Sequence, residues 1–264
     1  KMKKKRGIKD IKLFLLDLDG TVYLGDRLIE GASEFIEAVR ERGRRVVFLT
    51  NNSSRSRRQY IEKLTGMGIE CGAEDVYISS DAALKLLVER YGGKRVFVLG
   101  TQSLTDFFSE GGVNITERDP EVVVVGYDTE LTYRKLCTAT TALRRGAAYI
   151  VTHSDINCPA YPEFVPDAGS IIALIGESTG RRPQFDCGKP YVFMGESISE
   201  KYGFVKEEVA MVGDRLYTDI KFGLNNGFFT VLTLSGETDA EAYERSGLEA
   251  DLVVESIGKM TEML

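Results

Sequence analysis

The sequence predicts an α/β protein: a Rossmann-like, doubly wound parallel sheet interrupted by an inserted α/β domain. Three observations carry this expectation. Short β-branched runs alternate with helical patterns along the chain. Those runs, such as Leu13–Leu18 and Val122–Val125, are almost continuously apolar rather than alternating, as strands covered by helices on both faces must be. Polar clusters follow several of the runs, at the strand ends where open α/β sheets hold their ligands.

The elements follow in order. Leu13–Leu18 is the first strand, with Gly20 letting the chain turn just beyond it. Ala32–Arg42 has helical periodicity and is stopped by Gly43; Val46–Thr50 is a strand, and Ser56–Met67 a helix stopped by Gly68. Val76–Ser79 and Val96–Leu99 are strands on either side of a helix at Ala82–Tyr91. Strands at Val122–Val125 and Tyr149–Thr152 flank a helix at Leu131–Arg145, and further helices fall at Gly169–Thr179 and Tyr191–Tyr202. The remainder reads as a strand at Val209–Gly213, a helix at Thr218–Asn226 stopped by Gly227, and strands at Phe228–Leu234 and Asp251–Val254.

Spacing divides this series. About thirty residues separate Asp19 from Thr50, enough for one flap and one helix, whereas well over a hundred separate Asn51 from Lys189, too many for a single crossover. A second domain is therefore expected over residues 82–183, inserted between the two parts of the first domain at 1–81 and 184–264.

Composition excludes several classes of function. The chain has 264 residues, 43% of them hydrophobic, which suits globular domains with buried cores. Its longest apolar runs, such as Ile171–Ile175, fall far short of the roughly 18 residues of a membrane helix. The net charge of −6 argues against nucleic acid as a partner. Lys1–Arg6, the one dense basic run, lacks the apolar core of a signal peptide and is expected to be a solvated tail. Four cysteines without a CxxC pair point to reduced thiols, and with no export signal a cytoplasmic location is expected. A single histidine removes every site that needs two imidazole ligands.

Four polar clusters carry the chemistry: Asp17-Leu18-Asp19-Gly20-Thr21, Thr50-Asn51-Asn52-Ser53, Gly188-Lys189-Pro190, and Gly213-Asp214-Arg215 with Asp219. The two-residue strand period puts Asp17 and Asp19 on one side. Converging carboxylates repel unless a cation neutralises them, and Asp214 at another strand end offers a third. Three acids without imidazole or thiolate suit a hard ion such as Mg²⁺. Each cluster alone is a common structural feature; their conjunction at strand ends is not.

These residues resemble the haloacid dehalogenase superfamily of phosphohydrolases, and within it the NagD or nitrophenylphosphatase branch. The matching stretches are Asp17-Leu18-Asp19-Gly20-Thr21-Val22-Tyr23, Leu49-Thr50-Asn51-Asn52-Ser53, Cys187-Gly188-Lys189-Pro190 and Met211–Ile220. The resemblance implies a core domain with an inserted cap, and Mg²⁺-dependent hydrolysis of a small phosphorylated metabolite through an aspartyl-phosphate. Asp17 is the expected nucleophile and Asp19 the general acid and base. Mg²⁺ is expected on Asp17, Asp214 and the Asp19 carbonyl. Lys189, the Thr50 hydroxyl and the backbone N–H groups of Leu18, Asp19 and Asn51 would neutralise the phosphate oxygens. The resemblance gives Asp219 a supporting role, and it implies a homodimer paired through the cap as one arrangement.

Leaving-group specificity is expected in the cap, on two segments read as loops, Thr152–Pro159 and Val165–Ser170. His153, Asp155, Asp167, Ala168 and Gly169 are the candidates there. Relatives more often carry Asn at the place of His153, and packing competes with substrate contact as its role. Tyr161 and Phe164 offer rings that either stack on substrate or pack, and Cys187 is expected to be an inert thiol. Three other readings remain beside the phosphatase: a dinucleotide enzyme, disfavoured by the lack of GxGxxG after the first strand, a phosphotransferase, and a silent phosphate-ligand binding protein on the same scaffold.

Overall fold

A computed structural model of the chain describes residues 6–160 and 163–264. The strands are β1 (Leu13–Asp17), β2 (Tyr23–Leu24), β3 (Arg27–Leu28), β4 (Arg45–Thr50) and β5 (Val76–Ile78). Next come β6 (Arg95–Leu99), β7 (Asn114–Ile115), β8 (Val122–Val125), β9 (Ala148–Val151), β10 (Asn157–Ala160) and β11 (Glu163–Pro166). Last are β12 (Phe185–Asp186), β13 (Val209–Gly213), β14 (Phe229–Thr233) and β15 (Leu252–Val254). The α-helices are α1 (Ala32–Glu41), α2 (Arg57–Gly66), α3 (Ser79–Tyr91), α4 (Gln102–Glu110), α5 (Tyr133–Arg144), α6 (Ala168–Thr179), α7 (Val192–Tyr202), α8 (Lys221–Asn226) and α9 (Ala240–Ser246). The chain divides into two compact units: residues 1–50, 60–77 and 189–264, and residues 51–59 and 78–188.

The first unit is an α/β layer built on a six-stranded sheet in the order β15-β14-β13-β1-β4-β5. Leu13, Phe14, Leu15 and Leu16 of β1 are wholly buried between parallel neighbours β4 and β13, which explains their unbroken apolar run. The order reverses beside β1: the chain runs outward through β4 and β5 on one side and through β13, β14 and β15 on the other. Such a switch point leaves a crevice at the carboxyl ends of the strands. The thirty residues after Asp19 hold the β2–β3 hairpin and α1.

The second unit has its own five-stranded sheet, β12-β9-β8-β6-β7, parallel throughout. Phe97, Leu99, Val123, Val125, Tyr149 and Val151 of this sheet pack with Leu143, Ile171, Ile172 and Ile175 into one apolar core.

Several expectations need correction. The segments read as loops at Thr152–Pro159 and Val165–Ser170 are not both loops: β10 and β11 pair as an antiparallel hairpin, with Asn157 opposite Pro166. Ala168 and Gly169 lie in the first turn of α6, behind an Asp167 cap whose Oδ1 accepts the Ala168 N–H. Helix α3 starts at Ser79 rather than Ala82, because Asp81 accepts the Ile78 N–H and closes the first turn three residues earlier. Helix α4 was missed; Thr101 caps it by accepting the Leu104 N–H. Finally, Thr218–Asn226 is not one α-helix. A π turn spans Leu216–Ile220 before α8, and such bulges redirect side chains at functional positions.

Candidate active site

The site in the first unit grows from β1 and β13, the two strands at the switch point. β1 ends on Asp17, and the turn beyond it is held by the Leu18 carbonyl, which accepts from Val22 N at 2.9 Å and Tyr23 N at 3.1 Å. β13 ends on Gly213, so Asp214 follows at once; the π turn then brings Asp219 back toward the strand end. Asp219 is fixed by the backbone four residues earlier, with Oδ2 accepting the Arg215 N–H at 3.1 Å. Gly213 leaves room for this: a β-carbon there would stand 2.4 Å from Asp219 Oδ2.

Lys189 joins these acids. Its Nζ is 2.5 Å from Asp17 Oδ1 and 2.7 Å from Asp219 Oδ1, and the side chain is buried. The Lys189–Pro190 peptide that follows is cis. Asp17, Asp214 and Asp219 each bring one carboxylate oxygen within 4.8 Å of the others. Asp214 accepts from Glu237 N at 2.7 Å and from Thr21 Oγ1 at 3.4 Å. Glu237 also pairs with Arg215, Nε to Oε2 at 3.0 Å.

Burial sets the electrostatics. It pushes the Asp17 carboxyl well above the carboxylate range; Asp219 adds to that push, while the Lys189 ammonium opposes it. Burial likewise pushes Asp214 up to about 7, with Asp219 adding to it and the Glu237 N–H opposing it. Lys189 resists the downward pull of its own burial, because Asp17 and Asp219 hold it charged. One ammonium among three close carboxylates leaves an excess of negative charge, which a hard cation relieves. The glycine-lined space around the acids suits that fit: a β-carbon on Gly20 or Gly236 would fall 2.4 or 2.0 Å from Asp214 Oδ2.

The structure thus brings Asp17, Asp214, Asp219 and Lys189 together. Leu18 is buried in the turn, Asp19 is half-buried beside it, and Thr50 is buried at the end of β4, all within this unit. Asn51 and the five specificity candidates belong to the second unit. There, the Asn51 amide donates to both oxygens of Asp155 at 3.1 and 3.2 Å, and its carbonyl accepts from Ser79 Oγ at 2.6 Å. His153 is wholly enclosed, Nε2 2.9 Å from Asp167 Oδ1 and Nδ1 3.1 Å from Thr152 Oγ1. Gly169 packs against the loop, its N–H donating to the Asp155 carbonyl at 2.8 Å. Phe164 is exposed on β11, and Tyr161 lies outside the described residues.

Sequence reasoning missed Gly236, Glu237 and Asp186. The first two follow β14, so the strand-end rule that found Asp214 also pointed to them. Asp186 ends β12, is pushed up to about 6 by burial, and accepts the Gly188 N–H at 3.1 Å. Cys187 is buried, and that burial pushes its thiol far up, which disfavours the reactive thiolate. No helix among the described residues is long and apolar enough to cross a membrane.

Comparison with known proteins agrees with this geometry. Residues 14–114 match the haloacid dehalogenase-like hydrolase family, and residues 186–260 match a second description of hydrolases of that kind. The chain is 37% identical over 235 residues to an acid sugar phosphatase of Staphylococcus aureus, covering 89% of this chain and 90% of that one. A 4-nitrophenylphosphatase from Thermotoga maritima superposes with a TM-score of 0.93 at 45% identity, covering 96% of this chain and 97% of that one. NagD from E. coli superposes with a TM-score of 0.88 at 27% identity, covering 94% and 98%.

Proposed function

Because the chain belongs to the haloacid dehalogenase-like hydrolase family, we propose that it hydrolyses small phosphomonoesters through an aspartyl-phosphate on Asp17. The observation that carries this reading is the Lys189 ammonium held between Asp17 and Asp219, with Asp214 completing the acid cluster. That arrangement aims Asp17 from a strand end and sets an ammonium against it, which opposes the upward push of burial and favours the anionic form that a nucleophile needs.

The Asp17 carboxylate attacks phosphorus in line, and the ester oxygen leaves. Asp19 gives that oxygen its proton, then takes one from the water that attacks the aspartyl-phosphate, returning Asp17 and releasing inorganic phosphate. Lys189, the Thr50 hydroxyl and the N–H groups of Leu18, Asp19 and Asn51 stabilise the equatorial oxygens. Asp219 orients Lys189. Asp17, Asp214 and the Asp19 carbonyl would hold Mg²⁺, which when bound neutralises charge between the acids and the phosphate.

The substrate class is a sugar phosphate or a nucleoside monophosphate. The Staphylococcus relative, named for sugar phosphates, favours the first. The second unit acts as the cap, with leaving-group selectivity in the segments around residues 153–155 and 167–169. The test is inorganic phosphate release from a panel of sugar phosphates, nucleoside monophosphates and p-nitrophenyl phosphate. It is run with Mg²⁺ or excess chelator, for wild type and Asp17→Asn. Mg²⁺-dependent release lost in the variant supports the reading; a folded protein that binds these esters without turnover would instead be a silent binding protein.

A further inference from the structure

Within the second unit, the chain's single histidine stands where two stretches of backbone meet. His153 Nε2 bonds Asp167 at the start of α6, and Nδ1 bonds Thr152, whose hydroxyl lies 2.9 Å from that of Ser53. Asn51 and Gly188 both press on this segment. A β-carbon on Gly188 would stand 2.6 Å from the His153 β-carbon, 2.9 Å from Asn51 Oδ1 and 2.9 Å from the Thr152 carbonyl. Two residues on from His153, Asp155 holds the Asn51 amide with both oxygens. In the chain, Asn51 directly follows Thr50 and Gly188 directly precedes Lys189. The neighbours of two phosphate-handling residues therefore rest on the segment 152–155, which one buried imidazole anchors to Asp167.

We propose that His153, buried and bonded between Asp167 and Thr152, is a positioning residue that sets Asn51 and Gly188, and through the chain Thr50 and Lys189. This rests on the phosphatase reading and adds a proton-linked control to the same site. The charged groups facing the ring are carboxylates: Asp167 at the α6 cap, Asp155 on its own segment and Asp186 at the end of β12. Burial alone would strip the ring of its proton, but the Asp167 hydrogen bond and charge, then Asp155 and Asp186, outweigh it and raise the imidazole above its ordinary value. Loss of the proton removes the charge that balances three acids, and the segment shared by Asn51 and Gly188 is expected to relax.

One histidine makes the test direct. In tag-free protein, the imidazole is titrated by NMR, and phosphate release from p-nitrophenyl phosphate with saturating Mg²⁺ is followed over the same pH range. The expected result is a midpoint above the ordinary histidine value, with kcat falling about tenfold through that same midpoint while KM stays within about twofold. Asp186→Asn, which leaves the Nε2 contact intact, should lower both midpoints together. His153→Gln, whose amide can still donate to Asp167, should abolish the kinetic limb. A midpoint below the ordinary value, a limb that survives in His153→Gln, or an effect confined to KM would overturn the proposal. Wild type that releases no phosphate at any pH would overturn the phosphatase reading along with it, whereas release without a coincident limb overturns this inference alone.

Discussion

Gly236 approaches Asp214 so closely that a β-carbon on it would stand 2.0 Å from Oδ2. The next residue, Glu237, donates its N–H to that same oxygen. The missing side chain at 236 therefore fixes where the Asp214 carboxylate rests. Gly236 lies outside the left-handed region, so its own φ admits alanine, but the whole Asp214 side chain must shift, its β-carbon included at 2.8 Å. Gly236→Ala is expected to raise the Mg²⁺ concentration for half-maximal phosphate release by on the order of tenfold. A Mg²⁺ titration of activity checks this; an unshifted curve would remove Asp214 from the proposed ligand set.

Asp17→Asn keeps the shape of the side chain and deletes its charge. Phosphate release should drop by at least ~10³-fold. Stability should move the other way. Since the folded Asp17 carboxyl is raised, folding is penalised progressively as pH climbs from the unfolded carboxyl value toward the folded one. The amide escapes that penalty, so at pH 8 without Mg²⁺ the variant should melt no lower than wild type. A clearly lower melting temperature would mean that the Lys189 contact outweighs the burial of the charge.

Lys189→Met removes the ammonium from between Asp17 and Asp219. An uncompensated buried pair of carboxylates is expected to lower stability by about 3–5 kcal/mol near neutral pH. Acid should rescue it, because protonated carboxyls no longer repel. Denaturant melts at pH 5 and pH 8 decide the matter: a loss that is equal at both pH values would trace to packing instead.

Mg²⁺ itself should stabilise the protein in a pH-dependent way. Asp214 is raised to about 7, so the folded chain holds a proton there that the unfolded chain gives up near the ordinary carboxyl value. Stability from this group is complete at acid pH and declines as pH rises to about 7. A cation needs the deprotonated oxygens. The rise in melting temperature on adding Mg²⁺ should therefore be larger at pH 8 than at pH 5, as measured by calorimetry. Equal rises would place the ion away from Asp214.

How much of this was written locally in the chain varies by element. β1 and β13 were legible because strands buried on both faces leave no polar residue to confuse the pattern. Asp17 and Asp214 were legible because they sit at strand ends, where ligands converge; Lys189, read in a loop, and Asp219 stood out only through the motifs that carry the family resemblance. The β10–β11 hairpin was not, since Pro159 and Pro166 suppress a strand signal. The π turn was not, because its extra residue is selected by the Asp219–Arg215 contact rather than by periodicity. Gly236 follows a strand end, so its position was legible but its approach to Asp214 was not; Asp186 acts through tertiary neighbours and leaves no local trace. For His153 the sequence offered two roles, and only its enclosure between Thr152 and Asp167 shows the bonds it makes.

The parallel pairing of β1 with β13, Leu13 opposite Val209, has a consequence for biosynthesis. Nearly two hundred residues must leave the ribosome between the two strands, a delay of roughly ten to forty seconds at ordinary elongation rates. Residues 78–188 are all synthesised within that interval, free to collapse on their own parallel sheet, while β1 waits with one flank unpaired. Asp214 and Asp219 emerge later still. A nascent chain thus carries Asp17, the proposed nucleophile, long before Lys189, Asp214 and Asp219 join it, and it is during this wait that the apolar flank of β1 is most exposed to chaperones or to misassociation.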